Sequence, residues 1–152
     1  MGADPSGQGR EGLVLALFGP TASGKSAVAE ALTERVAAEI VSADAMQAYR
    51  GLPILTNQPE RPTRLVGIWP LDREGSVGEY QRLAHAAIDE ILAAGRTPVI
   101  AGGTGLYLRA ALAELDLPPA PPPGARERWE LLYDEAGAEA AHAALAERDP
   151  AA

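Results

Sequence analysis

The chain has 152 residues, of which 47% are hydrophobic and 22% are charged, and its net charge at pH 7 is −8. This length allows one domain with a buried core, no apolar run reaches the length of a membrane span, and the absence of cysteine excludes disulfides and thiolate metal sites. The acidic excess, which is greatest after residue 112, excludes a broad basic surface for nucleic acid and leaves only a local cluster of Arg50, Arg61 and Arg64. We therefore expect a soluble, cytoplasmic monomer without membrane contact and with a flexible terminus at residues 1–12.

A phosphate-binding loop is the strongest motif in the sequence. The apolar run at residues 13–18 predicts a fully buried strand, and residues 25–38 predict a helix with one apolar face. Between them, the pattern G-x-x-x-x-G-K-[ST] is matched at every defined position by Gly19, Pro20, Thr21, Ala22, Ser23, Gly24, Lys25 and Ser26. The glycines let backbone N–H groups turn toward a phosphate. Lys25, the single lysine of the chain, adds a full charge, and the Ser26 hydroxyl can ligate Mg²⁺.

Strands and helices alternate through the sequence that follows the loop. Further strands are predicted at residues 40–41, 64–69 and 97–101, and helices are predicted at residues 79–94 and 106–114. This alternation predicts an α/β fold over residues 13–116, with a P-loop NTPase-like parallel sheet flanked by helices.

A second region begins with a proline-rich linker at residues 117–124. Two helical stretches are predicted after it, at residues 125–136 and 138–148. Residues 149–152 then show the cap, proline and alanine pattern with which a helix begins. We therefore expect residues 125–152 to be the start of a helical region in an incomplete chain.

Polar residues follow two of the predicted strands. Asp44 follows the second strand, and Thr104 lies in the glycine-rich turn after the strand at residues 97–101. Ligands bind at this carboxyl edge of parallel sheets, so Asp44 can accept a proton or hold Mg²⁺ through water, or else only cap the next turn. Arg50 can clamp a phosphate, or it is an ordinary solvated arginine. The strand ends in Gly102, where many nucleoside triphosphatases carry an aspartate, which counts against ordinary hydrolysis.

Three segments together resemble the bacterial tRNA dimethylallyltransferases, which prenylate an adenosine beside the anticodon. They are the phosphate loop, Ser-Ala-Asp-Ala-Met-Gln-Ala-Tyr-Arg-Gly at residues 42–51, and Gly-Gly-Thr-Gly-Leu-Tyr-Leu at residues 102–108. The resemblance, which covers residues 13–150, implies that the loop and Mg²⁺ hold dimethylallyl diphosphate while the prenyl group passes to the N6 amine of tRNA. It also implies that Asp44 is the general base and that Gln47 helps to recognise the target base. Thr104 would contact the reacting centre or the tRNA.

The sequence also departs from the pattern of this family. Ala45 stands where the family usually has serine, Gln58 stands where a phosphate-attracting lysine is usual, and residues 63–65 replace a His-His-Leu run. Family members are roughly twice as long, and the additional half is expected to carry a basic segment for tRNA and a further arginine for the diphosphate.

Two alternatives to prenyl transfer remain open at this point. The first is a small-molecule kinase that binds ATP as its nucleotide, although the acidic tail shows no arginine-rich lid. The second is a module that binds diphosphates and catalyses nothing.

Overall fold

The computed structural model describes residues 12–119 and 121–151. Almost all of the terminus that was expected to be flexible, and one residue of the proline-rich linker, lie outside these ranges. The chain divides into two compact units between Asp116 and Leu117.

The first unit is built on a three-stranded parallel sheet. Its strands are β1 (Leu15–Phe18), β2 (Ala38–Ser42) and β3 (Thr97–Gly102), and β3 lies between the other two. The helices of this unit are α1 (Lys25–Arg35), α2 (Val77–Ala93) and α3 (Gly105–Leu112). The prediction of an α/β fold with a parallel sheet flanked by helices is therefore confirmed.

The register of the strands explains how the two faces of the sheet are buried. Val99 on β3 aligns with Leu15 on β1 and with Ile40 on β2, and this row packs with α1 through the fully buried Ala29. The next row, which includes Ile100, belongs to a larger core that contains residues of α2 and α3. Alternation along each strand thus sends successive side chains into two different cores.

The first strand is not fully buried, which corrects the prediction from its unbroken apolar run. Leu15 and Leu17 are half-buried beside α1, whereas Ala16 is exposed and the Phe18 side chain is 61% exposed. The reason is the position of β1, which pairs only with β3 at the edge of the described sheet.

The end of α1 and the segment at residues 64–69 also differ from the predictions. Helix α1 ends at Arg35 because Val36 is extended, with φ −134°, and Ala38 already pairs with Thr97 in the sheet. The predicted strand at residues 64–69 is also wrong, since this segment makes only two isolated bridges, to Val41 and Tyr49. Leu65 and Gly67, both with φ 63°, turn the backbone away from a regular strand.

Helix α2 begins before the predicted residue 79. The Ser76 side chain accepts a hydrogen bond from the backbone N–H of Glu79 at 3.1 Å, as an N-cap residue does. This helix and α3 pack on the larger core, where the Tyr80 and Tyr107 ring centroids lie 4.4 Å apart.

The second unit contains α4 (Ala125–Ala146), which corresponds to the two predicted helical stretches. Gly137 interrupts it with φ 83° and ψ 174°, so the helix is kinked where the sequence predicts a break. No residue of α4 is buried. Across residues 12–119 and 121–151, none of the helices combines the length and apolar character that a bilayer crossing requires.

Candidate functional site

The phosphate loop connects β1 to α1 with an unusual backbone. Ala22 and Gly24 both have positive φ, 63° and 85° respectively, and Gly24 is the N-cap residue of α1. A cap without a side chain leaves the first N–H groups of the helix without a side-chain acceptor. Together with the positive end of the helix dipole, these groups form a concave site suited to an anion.

The side chain of Lys25, the first residue of α1, folds back and contacts the phosphate loop. Its Nζ donates a hydrogen bond of 2.6 Å to the carbonyl oxygen of Pro20, and the Ser23 N–H donates to the same carbonyl at 3.3 Å. The lysine charge is thus held beside the loop by a bond that a phosphate oxygen can replace.

A cavity next to the loop brings several of the predicted site residues together. Lys25 and Ser26 line it from α1, Ser42 lines it from the end of β2, and Gln47 and Gly102 complete its polar side. The rest of the lining consists of Ala29, Glu30, Ile40, Pro59, Thr63 and Ala101. Ser42 and Gly102 end β2 and β3, and Lys25 follows the loop after β1. The cavity therefore lies at the carboxyl edge of the sheet, where ligands bind in such folds.

Asp44 and Thr104 are not among the cavity-lining residues, but Thr104 is linked to the Asp44 turn through Ala45, which follows Asp44 in the chain. The Ala45 N–H donates to Thr104 Oγ1 at 3.3 Å. Asp44 Oδ1 accepts hydrogen bonds from the N–H groups of Met46, at 2.9 Å, and Gln47, at 3.4 Å. Asp44 therefore does cap the following turn, and its Oδ2 has no hydrogen bond to any residue in the described part of the chain, which leaves that oxygen available to an amine.

The close approach of the Ala43 backbone explains why the central strand ends in Gly102 and not in a carboxylate. A Cβ atom at this position would lie 2.1 Å from the carbonyl oxygen of Ala43 and 2.4 Å from its carbon. Such distances exclude every side chain unless the backbone that follows β2 moves away from β3. The aspartate that many nucleoside triphosphatases carry here cannot be accommodated in this sheet.

The arginines expected from the sequence do not reach the cavity. Arg50 Nη2 donates to the Ile68 carbonyl at 3.2 Å, and Arg50 is not among the cavity-lining residues. Arg61 pairs with Glu34 at 2.6 Å. Arg64 pairs with Glu39 at 2.9 Å and with Glu90 at 3.0 Å, and the hydrogen bond and charge of Glu39 raise the pKa of the Arg64 guanidinium.

Three further residues, none of which was expected to belong to the site, support it. Ser42, which is 2% exposed, donates from Oγ to Gln47 Oε1 at 2.9 Å. The buried Tyr80 hydroxyl donates to the Ser42 carbonyl at 2.9 Å, and burial raises the pKa of Tyr80. The Gln58 amide nitrogen donates to the carbonyls of Gln47 and Tyr49. A polar residue at the end of a buried strand was the one available signal, and it pointed to Ser42.

Comparison with known proteins gives matches over nearly the whole chain. The family model described as IPP transferase matches residues 47–152, and that described as isopentenyl transferase matches residues 12–65. A tRNA dimethylallyltransferase of Salinispora tropica is 48% identical over 145 residues, which cover 91% of this chain and 45% of the relative. One from Acidothermus cellulolyticus is 46% identical, with 91% and 45% covered.

Solved structures give the same result. The tRNA isopentenylpyrophosphate transferase of Bacillus halodurans matches with a TM-score of 0.66 and 34% identity, covering 91% of this chain and 48% of that structure. The enzyme of Staphylococcus epidermidis matches with a TM-score of 0.65 and 30% identity, over 82% and 42%. The chain spans about half the length of the curated relatives that it matches.

All four of these relatives are described as dimethylallyltransferases or isopentenylpyrophosphate transferases, and none of the four is described as a kinase. These descriptions agree with the phosphate loop, the parallel sheet and the Asp44 turn that the structure places at one edge. The chain belongs to the IPP transferase family.

Proposed function

We propose that this chain binds dimethylallyl diphosphate and contributes to transfer of its dimethylallyl group to the N6 amine of an adenosine near the anticodon of tRNA. One observation carries this proposal. The phosphate loop, with Lys25 and Ser26, and the turn that carries Asp44 and Gln47 lie at the same edge of the sheet, and three of these residues line one cavity. The donor and the acceptor of a transfer reaction need such adjacent sites.

The phosphate loop acts on the leaving diphosphate, and Asp44 acts on the attacking amine. The N6 amine forms a bond to the allylic carbon while the bond from that carbon to the diphosphate oxygen breaks. The diphosphate leaves with its electron pair, and the loop N–H groups and Lys25 stabilise the charge that develops on it. The amine must lose a proton, and Asp44 Oδ2 accepts it while Oδ1 keeps its bonds to the turn.

Mg²⁺ fits this site if the diphosphate and water supply most of its ligands. Residues 12–119 and 121–151 contain no group of three or more His, Cys, Asp or Glu side chains that could hold a metal by themselves. Ser26 lines the cavity, and its hydroxyl would hold the ion. Mg²⁺ commonly keeps several waters and binds through substrate phosphates, and it would neutralise part of the leaving-group charge.

The remaining assignments follow from the same placement. Thr104, bonded to the N–H of Ala45, would contact the reacting centre or the tRNA. Gln47 would lie beside the target base, although its amide already bonds to Ser42 and Asn57. Arg50 would have to leave the Ile68 carbonyl to reach a phosphate. We further propose that the chain acts in the cytoplasm, where its tRNA acceptor is found, and that it acts as a monomer.

A chimera tests the proposed function. Residues 12–152 of this chain would replace the matched part of the Salinispora tropica relative, and transfer of labelled prenyl groups to tRNA would be measured. We expect the chimera to transfer the label. Asp44→Asn should lower turnover by about 10²- to 10⁴-fold, as loss of a general base does, with donor binding unchanged. A folded chimera that binds tRNA but transfers no label would contradict the proposal.

A further inference from the structure

Two glutamines tie together the two ends of the loop that follows Asp44. The Gln47 side chain donates from Nε2 to the carbonyl of Asn57 at 2.9 Å, and to that of Thr56 at 3.4 Å. In the opposite direction, Gln58 donates from Nε2 to the carbonyl of Gln47 at 3.2 Å and to that of Tyr49 at 2.7 Å. Each glutamine side chain thus holds the backbone of the segment that contains the other one. We call this arrangement the glutamine cross-tie.

The cross-tie is anchored to the core of the first unit. Gln47 Oε1 accepts from Ser42 Oγ at 2.9 Å, and this bond fixes the orientation of the amide so that its nitrogen faces Asn57. Ser42 is itself held by the hydroxyl of the fully buried Tyr80. A chain of hydrogen bonds therefore runs from Tyr80 on α2 through Ser42 on β2 to Gln47, and it fixes the position of the Asp44 turn.

Gln58 faces the loop and not the phosphate cavity. Its neighbour Pro59 lines the cavity, but Gln58 does not, and both hydrogens of its amide nitrogen are directed to backbone carbonyls. Its own N–H donates to the Pro53 carbonyl at 2.9 Å, which fixes the backbone beneath the side chain. A lysine, which the resemblance implies at this position, would likewise point away from the donor if it reached the same two carbonyls.

We propose that Gln58 is a positioning residue, which holds the Asp44–Gln47 turn for the acceptor through the glutamine cross-tie and adds nothing to diphosphate binding. The inference rests on the proposed function. It means that a glutamine at position 58 supplies the required hydrogen-bond donors and does not weaken the donor site. An amine attacking an allylic carbon needs its base within hydrogen-bond reach, so a loose turn lowers turnover and leaves donor affinity unchanged.

Three variants separate this role from general stability. Gln58→Leu removes the donors at nearly constant shape, whereas Gln58→Lys keeps donors that can reach the same carbonyls. Gln81→Leu is the control, because Gln81 is buried and links α2 to Glu114 and Leu115, away from the cavity. The measurements on the 152-residue chain are amide hydrogen exchange over residues 44–69 and the affinity for pyrophosphate with Mg²⁺. Prenyl transfer is measured in the chimera.

For Gln58→Leu we expect exchange over residues 44–69 to be about tenfold faster, as for the loss of two hydrogen bonds. The pyrophosphate Kd should stay within about twofold, and kcat should fall about tenfold while the donor KM is unchanged. Gln58→Lys should restore both exchange and kcat. Gln81→Leu should lower the melting temperature without these local effects.

Different results overturn the proposal. Tighter pyrophosphate binding by Gln58→Lys would place residue 58 at the phosphates. Unchanged amide exchange in Gln58→Leu would show that the cross-tie does not hold the loop. Failure of the proposed function has a separate signature, because the unsubstituted chimera would then transfer nothing while the exchange data still report on Gln58.

Discussion

Lys25 is the residue on which donor binding depends most. It is the single lysine of the chain and it lines the cavity. Among residues 12–119 and 121–151, the hydrogen bond of its Nζ goes to the Pro20 carbonyl of its own loop. Lys25→Ala should lower the affinity for dimethylallyl diphosphate by about 2 kcal/mol or more, because a charged hydrogen-bond partner is lost. Calorimetric titration in the presence of Mg²⁺ measures the difference.

Arg50→Ala is the matched control for the loss of one positive charge. Arg50 contacts the Ile68 carbonyl outside the cavity, so its removal should change the donor affinity by less than about 0.5 kcal/mol. Equal losses in the two variants would mean that net charge, and not the phosphate loop, attracts the diphosphate.

At the scale of the sheet, Gly102 allows the backbone of Ala43, just after β2, to approach the end of β3 closely. Gly102→Ala would place a Cβ 2.1 Å from the Ala43 carbonyl oxygen, and backbone atoms there cannot yield as a flexible side chain can. We expect a loss of about 1–3 kcal/mol in the free energy of unfolding. Gly103→Ala is the control, since its Cβ would meet only the Gly19 carbonyl oxygen at 3.5 Å. Urea unfolding that finds both variants equally stable would contradict this geometry.

The contact between α2 and β2 depends on the protonated form of Tyr80. Burial raises the pKa of its hydroxyl, which donates to the Ser42 carbonyl. A group whose pKa is higher in the folded state stabilises the fold below its unfolded pKa, about 10 for tyrosine, and this stability is lost as pH rises above that value.

Tyr80→Phe should therefore cost about 1 kcal/mol at neutral pH, as for one hydrogen bond. It should also make the alkaline loss of stability shallower than in the unsubstituted protein. Urea midpoints measured at pH 8 and above pH 10 give both quantities. Parallel pH profiles for the two proteins would show that another group, for example Tyr107, whose pKa is also raised by burial, dominates.

The sequence predicts those elements that depend on residues close to one another in the chain. The apolar face of α2 and the glycine-flanked phosphate loop lie where their patterns indicate. The exposure of β1 could not be predicted, because it depends on the order of the strands. Nor could the roles of Ser42 and Gln58, because each bonds to a residue that only the folded loop brings near. The turn at Leu65 has no local signal, since a leucine with φ 63° is rare.

At the scale of the whole molecule, charge limits what the chain binds. Its net charge is −8, and Arg61 and Arg64 are paired with glutamates. We expect weak binding of tRNA by residues 1–152, with little dependence on salt, because few phosphate contacts release counterions. Gel shifts at low and moderate salt test this expectation. Tight binding that is lost at moderate salt would contradict it. That result would show a basic surface for nucleic acid on this chain, although Arg61 and Arg64 are paired with glutamates.

The most direct test of the central claim is a calorimetric comparison of dimethylallyl diphosphate with ATP, each titrated into the 152-residue chain with Mg²⁺. We expect saturable binding of one dimethylallyl diphosphate per chain, weakened by Lys25→Ala, and a lower affinity for ATP. Tighter binding of ATP, or no binding of dimethylallyl diphosphate at all, would contradict the assignment of the phosphate loop as the prenyl-donor site.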